Sequence, residues 1–454
     1  MCSFIELAQQ NRQELISRFD SGILLLGGGK SSAQYTTDRD LPFRQESNFF
    51  YLTGVQRPDC LAMINASTGK FTLFAPALDP SLEMWMGPLP SFEDLAKEYG
   101  ADEVLDVEDL NSVLPQFSHE KMYVFPHLFP MDVLSDYEID TELLQETIEE
   151  MRVIKKPLEI EEIRKACGFT NKAFRTVMAL IRPGMKEFHV QALFEGAIMM
   201  EGSRNPSFMP ICAAGKNSST LHYVDNDKTI GEGDIILLDA GAETPSLYAA
   251  DVTRVFPASG EFNDYQKDIV NLVNRMNNAA FELCKPGVPF ELLHRAAQRA
   301  CAEGMIELGM ATGTVEELLD NHVTSYFFVH GLGHGLGLDV HEPRGYPKGV
   351  ERINEPGIKY LRMRRDLKEN MVITIEAGFY FAGKFMKDAF ENEVVSKFLN
   401  WDKINEYMEN ASGVRLEDDI VITANGFDNL TQEIPKTVEE IEAFCKGARS
   451  VAKM

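Results

Sequence analysis

Residues 330–343 read HGLGHGLGLDVHEP, which puts three of the chain's nine histidines within twelve positions, among four glycines. Imidazole is the commonest metal ligand and the side chain that changes charge near neutral pH. Glycine lets backbone and ligand approach closely. Such a segment does chemistry only with partners, and acids inside apolar strands are the candidates. IILLDAGAETPSLYAADVTRVF, residues 235–256, reads as a β-hairpin turning near Pro245. Asp239 and Asp251 are equidistant from that proline, so without a bulge they face each other. Opposed carboxylates in a half-buried sheet repel, and a cation between them removes the conflict. VITIEAGFYF (372–381) and VRLEDDIVIT (414–423) read as two more strands, each with an acid, Glu376 or Glu417, in an apolar alternation. Four carboxylates carry more charge than one divalent ion neutralises, so two ions are expected, with one histidine of the glycine-rich segment as a further ligand. Mn²⁺, Co²⁺, Fe²⁺ and Zn²⁺ all suit such a set. No HExxH motif is present, which removes a single-zinc helical site as the alternative.

These residues need a scaffold, and the pattern supplies one twice. Pro157 opens a helix whose stripe runs Ile160, Ile163, Cys167, Thr170, Phe174, Val177 and Ile181, and Arg182-Pro183-Gly184 stops it. A hundred residues on, Tyr265, Ile269, Leu272, Met276 and Leu283 form a second stripe, stopped by Lys285-Pro286-Gly287. A further amphipathic helix follows each stop and is expected to end at Gly202 and at Gly304. The spans 183–202 and 286–304 nearly match, which points to an internal duplication about a pseudo-twofold axis. Two acids then come from each half, so the site is expected where the halves meet.

The first 150 residues read differently. Short apolar runs at 23–26, 60–64, 71–74 and 122–125 are strands, a helix is expected over 91–99, and the whole is an α/β domain. GGGKSS at 27–32 is not a phosphate loop, because Leu24 stands where the first glycine is required. Domains are therefore expected over 1–150 and 151–454. A hydrophobic fraction of 44% and a net charge of −26 describe a globular chain that phosphate backbones and anionic membranes repel. No run is long enough to span a bilayer, no signal peptide is evident, and seven scattered cysteines suit a reducing compartment. A cytoplasmic location is expected.

With these residues in hand, the chain resembles the proline-specific metallopeptidases of the pita-bread fold, prolidase and aminopeptidase P. The resemblance is nearly full length. It rests on FRQESNFFYLTG and MWMG in the first domain, and on LHY, LLDAG, DVTR, HGLGHGLGLDVHE, TIEAG and VRLEDD in the second. It implies an α/β domain followed by a pita-bread domain, and a metal-assisted attack of water on the Xaa-Pro amide. Asp239, Asp251, His334, Glu376 and Glu417 match the family's ligands to two divalent ions per subunit, with Mn²⁺ the leading assignment. Asp251 and Glu417 match the residues that bridge the ions, and Glu376 matches the group that moves the water's proton. His222, His330 and His341 match histidines that touch substrate or steady the transition state, and Arg415 matches an arginine that supports the ligands. Trp85, in EMWMG, matches a loop near the site of a neighbouring subunit, which implies a homodimer in which the first domain gates substrate and makes the contact.

The choice within the family is open. VERINEPGIKYLRMRRDL and IPKTVEEIEAF look like the eukaryotic prolidase, whereas VDNDKTI after Tyr223 has nearer the length found in bacterial aminopeptidase P. Arg362 stands where prolidase has its carboxylate-binding arginine, which favours an Xaa-Pro dipeptidase over an enzyme acting on Xaa-Pro-Yaa. Short proline-containing peptides are the expected partners. A member that has lost its ligands and only binds is the rival class, and the full set of ligand positions argues against it.

Overall fold

The computed structural model describes residues 2–35, 39–77 and 79–451. Two compact units divide the chain, Met1–Arg152 and Val153–Met454.

In the first unit β1 (Ile23–Gly27) is central to a six-stranded sheet. The others are β2 (Leu61–Asn65), β3 (Phe71–Ala75), β4 (Glu103–Asp106), β5 (Met122–Phe125) and β6 (Ile139–Asp140). Their order is β4-β3-β2-β1-β5-β6, and the pairing is mixed parallel and antiparallel. β1 is buried along its whole length because its flanking strands and both faces are covered. The expected helix is Phe92–Tyr99, opened by a reciprocal Ser91–Asp94 capping box and closed by Gly100 in the left-handed region. The glycines after β1 lead into no helix; the Gly29 N–H donates to the buried Gln45 amide oxygen. Trp85 lies in the short helix Glu83–Met86 and is 79% exposed.

The second unit contains both helix pairs, Pro157–Leu180 with Glu187–Met200 and Asp264–Phe281 with Phe290–Glu307. Two expectations need correction. Leu283 lies beyond its helix, and Gly304 does not end one but sits a turn inside it. A Cβ at Gly304 would stand 2.3 Å from Leu272 Cδ1, so this glycine lets the paired helices approach closely. Each pair covers antiparallel strands. In the first half these are β7 (Ile211–Ala214), β8 (Ile235–Ala240) and β9 (Val252–Pro257). In the second half β10 (Val372–Ile375) and β11 (Gly378–Phe379) pair with β13 (Asp418–Thr423) and β12 (Val414–Arg415), and β14 (Gly426–Asn429) joins β13. Phe174, Val177, Ile269 and Met276 of the helices share one buried cluster with Leu238, Val255, Ile375 and Ile420 of the strands. Each such side chain contributes about 1.5–3 kcal/mol through burial.

The hairpin of β8 and β9 is shifted from the expected register. Asp239 faces Thr253, not Asp251. The turn is the reason: Leu247 N–H bonds the Thr244 carbonyl and Thr244 N–H bonds the Tyr248 carbonyl, which leaves three residues in the loop. Leu247 adopts φ +64°, the left-handed third residue that such loops use. The shift is two residues, so Asp239 and Asp251 stay on one face as diagonal neighbours.

The second-half hairpin keeps one register through both its pieces, with Ile375 opposite Asp418 and Gly378 opposite Arg415. Glu376 and Glu417 are thus opposed, and the ladder opens at both. Glu376 N–H donates to the Leu332 carbonyl, and Glu417 N–H reaches across to the Thr253 carbonyl of the first half. Two strand expectations therefore divide at their acids.

Candidate metal centre

The glycine-rich histidine segment lies along β10. Thr374 N–H donates to the His334 carbonyl, Leu336 N–H donates to the Val372 carbonyl, and Gly335 bridges Ile373. A Cβ at Gly333 would stand 2.1 Å from the Thr374 carbonyl oxygen, so only glycine allows this approach. The segment thereby carries its histidines to the edge of the strand that leads into Glu376.

Ligand atoms of Asp239, Asp251 and Glu417 converge within 4.8 Å of one another, as do those of His334, Glu376 and Glu417, and those of Asp251, His334 and His341. Glu417 and Asp251 each belong to two of these groups. His334 Nδ1 is 3.1 Å from the Gly335 carbonyl, an acceptor only, so Nδ1 carries the proton. The lone pair on Nε2 then faces Asp251 Oδ2 at 3.5 Å and Glu376 Oε1 at 3.6 Å. Burial holds this imidazole neutral, its pKa well below the usual value, with His341 pressing the same way. A lone pair and two carboxylate oxygens aimed at one another are mutually repulsive unless a cation stands between them.

The carboxyl groups show the same conflict. Burial, then the charges of Asp239, Asp419 and Glu376, push Asp251 well above the ordinary carboxylate range. Burial and Asp251 do this to Glu417, and burial and Glu417 do it to Glu376. Asp239 Oδ1 is buried with no hydrogen-bond partner among the described residues. Uncompensated buried acids and an orphaned oxygen cost several kcal/mol, and oxygen-rich sites with imidazole take first-row divalent metals. The donor set fits a metal centre.

Arg415 is the buried cation within this set. Its guanidinium donates to Asp239 Oδ2, to Thr253 Oγ1 at 3.1 Å and to the Tyr380 hydroxyl at 2.9 Å. The Thr253 hydroxyl in turn donates to Glu417 Oε2 at 2.8 Å. The Tyr380 hydroxyl donates to His330 Nε2 at 2.9 Å, because His330 Nδ1 is engaged by the Gly331 carbonyl at 2.8 Å. His330 Nδ1 also lies 3.7 Å from Glu376 Oε2. Burial, then Arg415, lower its pKa to about 3, so it stays neutral. The His341 ring meets His334 edge-on at 4.3 Å, and His222 is exposed and within electrostatic reach of both His330 and His341. Behind Asp251, its N–H donates to Asp419 Oδ2 at 3.0 Å, and Arg254 pairs with Asp418 at 2.6 Å, both fully buried.

Arg362 is exposed, and its charge is felt at His334, His341 and Glu376. Its neighbours are differently employed: Arg364 faces Glu291, and Arg365 donates to the Arg344 carbonyl. Trp85 belongs to the first unit.

Tyr380, Thr253 and Asp419 were absent from the sequence-based set. Strand parity is the signal that could have found them, since each lies two or four residues from an acid and so on its face. Tyr380→Phe removes the proton that fixes His330 and one acceptor of Arg415. The expected outcome is a roughly tenfold fall in kcat with little change in KM. Unchanged kcat in a steady-state assay would detach His330 from the reaction.

Residues 161–424 match the family described as Metallopeptidase family M24, and residues 8–125 match the Aminopeptidase P, N-terminal domain. The human Xaa-Pro dipeptidase is 37% identical, over 96% of this chain and 92% of that protein. A "Probable Xaa-Pro aminopeptidase PEPP" of Paracoccidioides lutzii is also 37% identical, over 93% of this chain and 92% of that protein. Among solved structures, the aminopeptidase PepP of Pseudomonas aeruginosa superposes with a TM-score of 0.84 at 30% identity, covering 98% of this chain and 99% of its own. The zinc-substituted aminopeptidase P of Escherichia coli in complex with product has the same TM-score at 29% identity, covering 98% and 99%.

Proposed function

Since the chain belongs to metallopeptidase family M24 and is a proline-specific metallopeptidase of the pita-bread fold, we propose that its preferred substrates are Xaa-Pro dipeptides. Arg362 carries this reading. A dipeptide's C-terminal carboxylate lies beside the scissile bond, and an exposed guanidinium acting on His341 and Glu376 offers a planar fork for both oxygens. Cleavage of Xaa-Pro-Yaa is the second reading, favoured by the aminopeptidase relatives; in such a substrate that carboxylate lies one residue further away.

Asp239, Asp251, His334, Glu376 and Glu417 would hold two divalent ions, Mn²⁺ before Co²⁺, Zn²⁺ or Fe²⁺. When bound, such ions lower the pKa of the attacking water and polarise the scissile carbonyl. Glu376 takes a proton from that water and delivers it to the leaving proline nitrogen. His222 and His341 face the peptide and steady the charge growing on the carbonyl oxygen, and His330, its ring nitrogens held by Gly331 and Tyr380, lines the substrate site beside Glu376. Arg415 holds Asp239 and, through Thr253, Glu417. An Xaa-Pro bond has no amide N–H, so a site that grips metal, carbonyl and carboxylate suits it.

Ala-Pro and Ala-Pro-Ala compared at equal concentration with added Mn²⁺ test this. The expected result is a higher kcat/KM for Ala-Pro; faster cleavage of the tripeptide would move the chain to the aminopeptidase reading. No helix among the described residues is long and apolar enough to cross a membrane, and a cytoplasmic location completes the proposal.

The first unit is assigned the subunit contact. Trp85 is 79% and Met84 82% exposed, adjacent apolar surface of the kind that marks interfaces. Sedimentation should show a homodimer that Trp85→Ala weakens. An active monomer at assay concentration would remove any role for Trp85 in a neighbouring subunit's site.

A further inference from the structure

A cavity of about 180 Å³ in the second unit shares no residue with the carboxylate cluster. Arg295, Gln298, Arg299, His322, Thr324 and Glu355 supply its polar lining. Arg295 donates to both Glu355 oxygens at 3.1 Å and to Glu291 at 2.9 Å, which fixes the Glu355 carboxylate in place. Arg299 gives one N–H to Glu316 at 3.0 Å, and a guanidinium has five. Gln298 is only 7% exposed, yet its amide has no hydrogen-bond partner among the described residues. His322 is held in the left-handed region, φ +53°, with Nδ1 4.0 Å from Glu355 Oε1. Non-glycine residues in that conformation cost free energy and concentrate at binding sites.

The lining determines what would fit. Open donors on Arg299 and Gln298 suit a carboxylate, and the fixed Glu355 suits an ammonium group. Leu319 and Pro356 add an apolar wall. A cavity of this size admits a small polar molecule. We propose that this cavity is a second binding site for a free zwitterionic amino acid of about the size of proline, and that its occupancy is felt at His330.

The route is a continuous run of packed groups. Gly357 follows Pro356 of the cavity wall, and its carbonyl meets His294 Nε2 at 2.9 Å. The His294 ring stacks on Phe328 at 4.9 Å, and Phe328 meets His330 edge-on at 5.3 Å. Two free amino acids are the products of the reaction proposed above, so the site would report product level. That regulatory half rests on the peptidase reading; the binding half does not.

Calorimetry of L-proline into the metal-loaded protein tests the binding. Wild type should take up two equivalents per chain, one at the metal centre and one in the cavity. Arg299→Ala, on an exposed side chain, and Gln298→Leu should each weaken the cavity equivalent about tenfold to a hundredfold and leave the other unchanged. L-Proline should inhibit wild-type hydrolysis of Ala-Pro in a mixed pattern and the Arg299→Ala variant competitively. One equivalent in wild type, a second equivalent surviving both substitutions, or purely competitive inhibition of wild type overturns the proposal. A second equivalent lost on substitution in a protein that cleaves no Xaa-Pro bond would uphold the site and retire the peptidase reading.

Discussion

Asp251→Asn is expected to abolish turnover and, in the metal-stripped protein, to raise thermal stability at pH 8. The two effects have one cause. Asp251 belongs to both the all-carboxylate group and the group with His334 and His341, so its loss disturbs both ion positions. Metal activation of water and carbonyl is worth several kcal/mol, and about 4 kcal/mol corresponds to a thousandfold in rate. A fall in kcat of that size or more is expected for Ala-Pro with Mn²⁺ restored. Without metal the same carboxyl is a liability, since burial and then Asp239 and Asp419 raise its pKa. A folded-state pKa above the unfolded value of about 3.9 gives stability that is complete below that pH and lost as the pH rises. Asparagine cannot ionise and escapes the loss. The melting temperature of the metal-stripped variant should match wild type near pH 4 and exceed it by about 5 °C at pH 8. Near wild-type turnover would dismiss Asp251 as a ligand. Equal melting temperatures across the pH range would contradict the crowding.

Arg362→Ala is the second large effect. A charge-assisted contact to the dipeptide carboxylate contributes about 1.5–3 kcal/mol, so KM for Ala-Pro should rise about tenfold to a hundredfold. Cleavage of Ala-Pro-Ala should change little, because its carboxylate lies one residue beyond. The basic run offers an internal control. Arg364 is engaged by Glu291, so Arg364→Ala should leave the dipeptide KM near wild type. Equal weakening of both substrates by Arg362→Ala would make Arg362 a general supporter of the histidines around it.

The site was more legible in the sequence than the geometry that assembles it. Acids in apolar strands are costly, which made Asp239, Asp251, Glu376 and Glu417 visible, and the structure brings them together with His334. The hairpin register was not legible, because it depends on Leu247 accepting a left-handed φ, which its residue type does not advertise. Gly304 read as a helix stop because a sequence does not show the Leu272 side chain that occupies the space beside it. Tyr380 was hidden between Phe379 and Phe381, and only its parity with Glu376 separates it from core aromatics. Arg254, although it closes the DVTR motif, gives no local sign of its partner from inside a buried strand. Its role depends on Asp418 of the other half, 164 residues away, which no local pattern contains.

The central claim is that carboxylates from both halves and His334 hold two divalent ions that drive Xaa-Pro hydrolysis. Its most direct test titrates metal-stripped protein with Mn²⁺ and follows bound metal and Ala-Pro turnover in the same samples. Turnover should be absent without metal, rise as metal binds, and level off at two equivalents per chain. Glu417→Gln, which alters the carboxylate common to two of the converging groups, should bind less and stay inactive. Full turnover in the metal-free protein, or a plateau reached with no metal bound by Asp239, Asp251, His334, Glu376 and Glu417, would contradict the account.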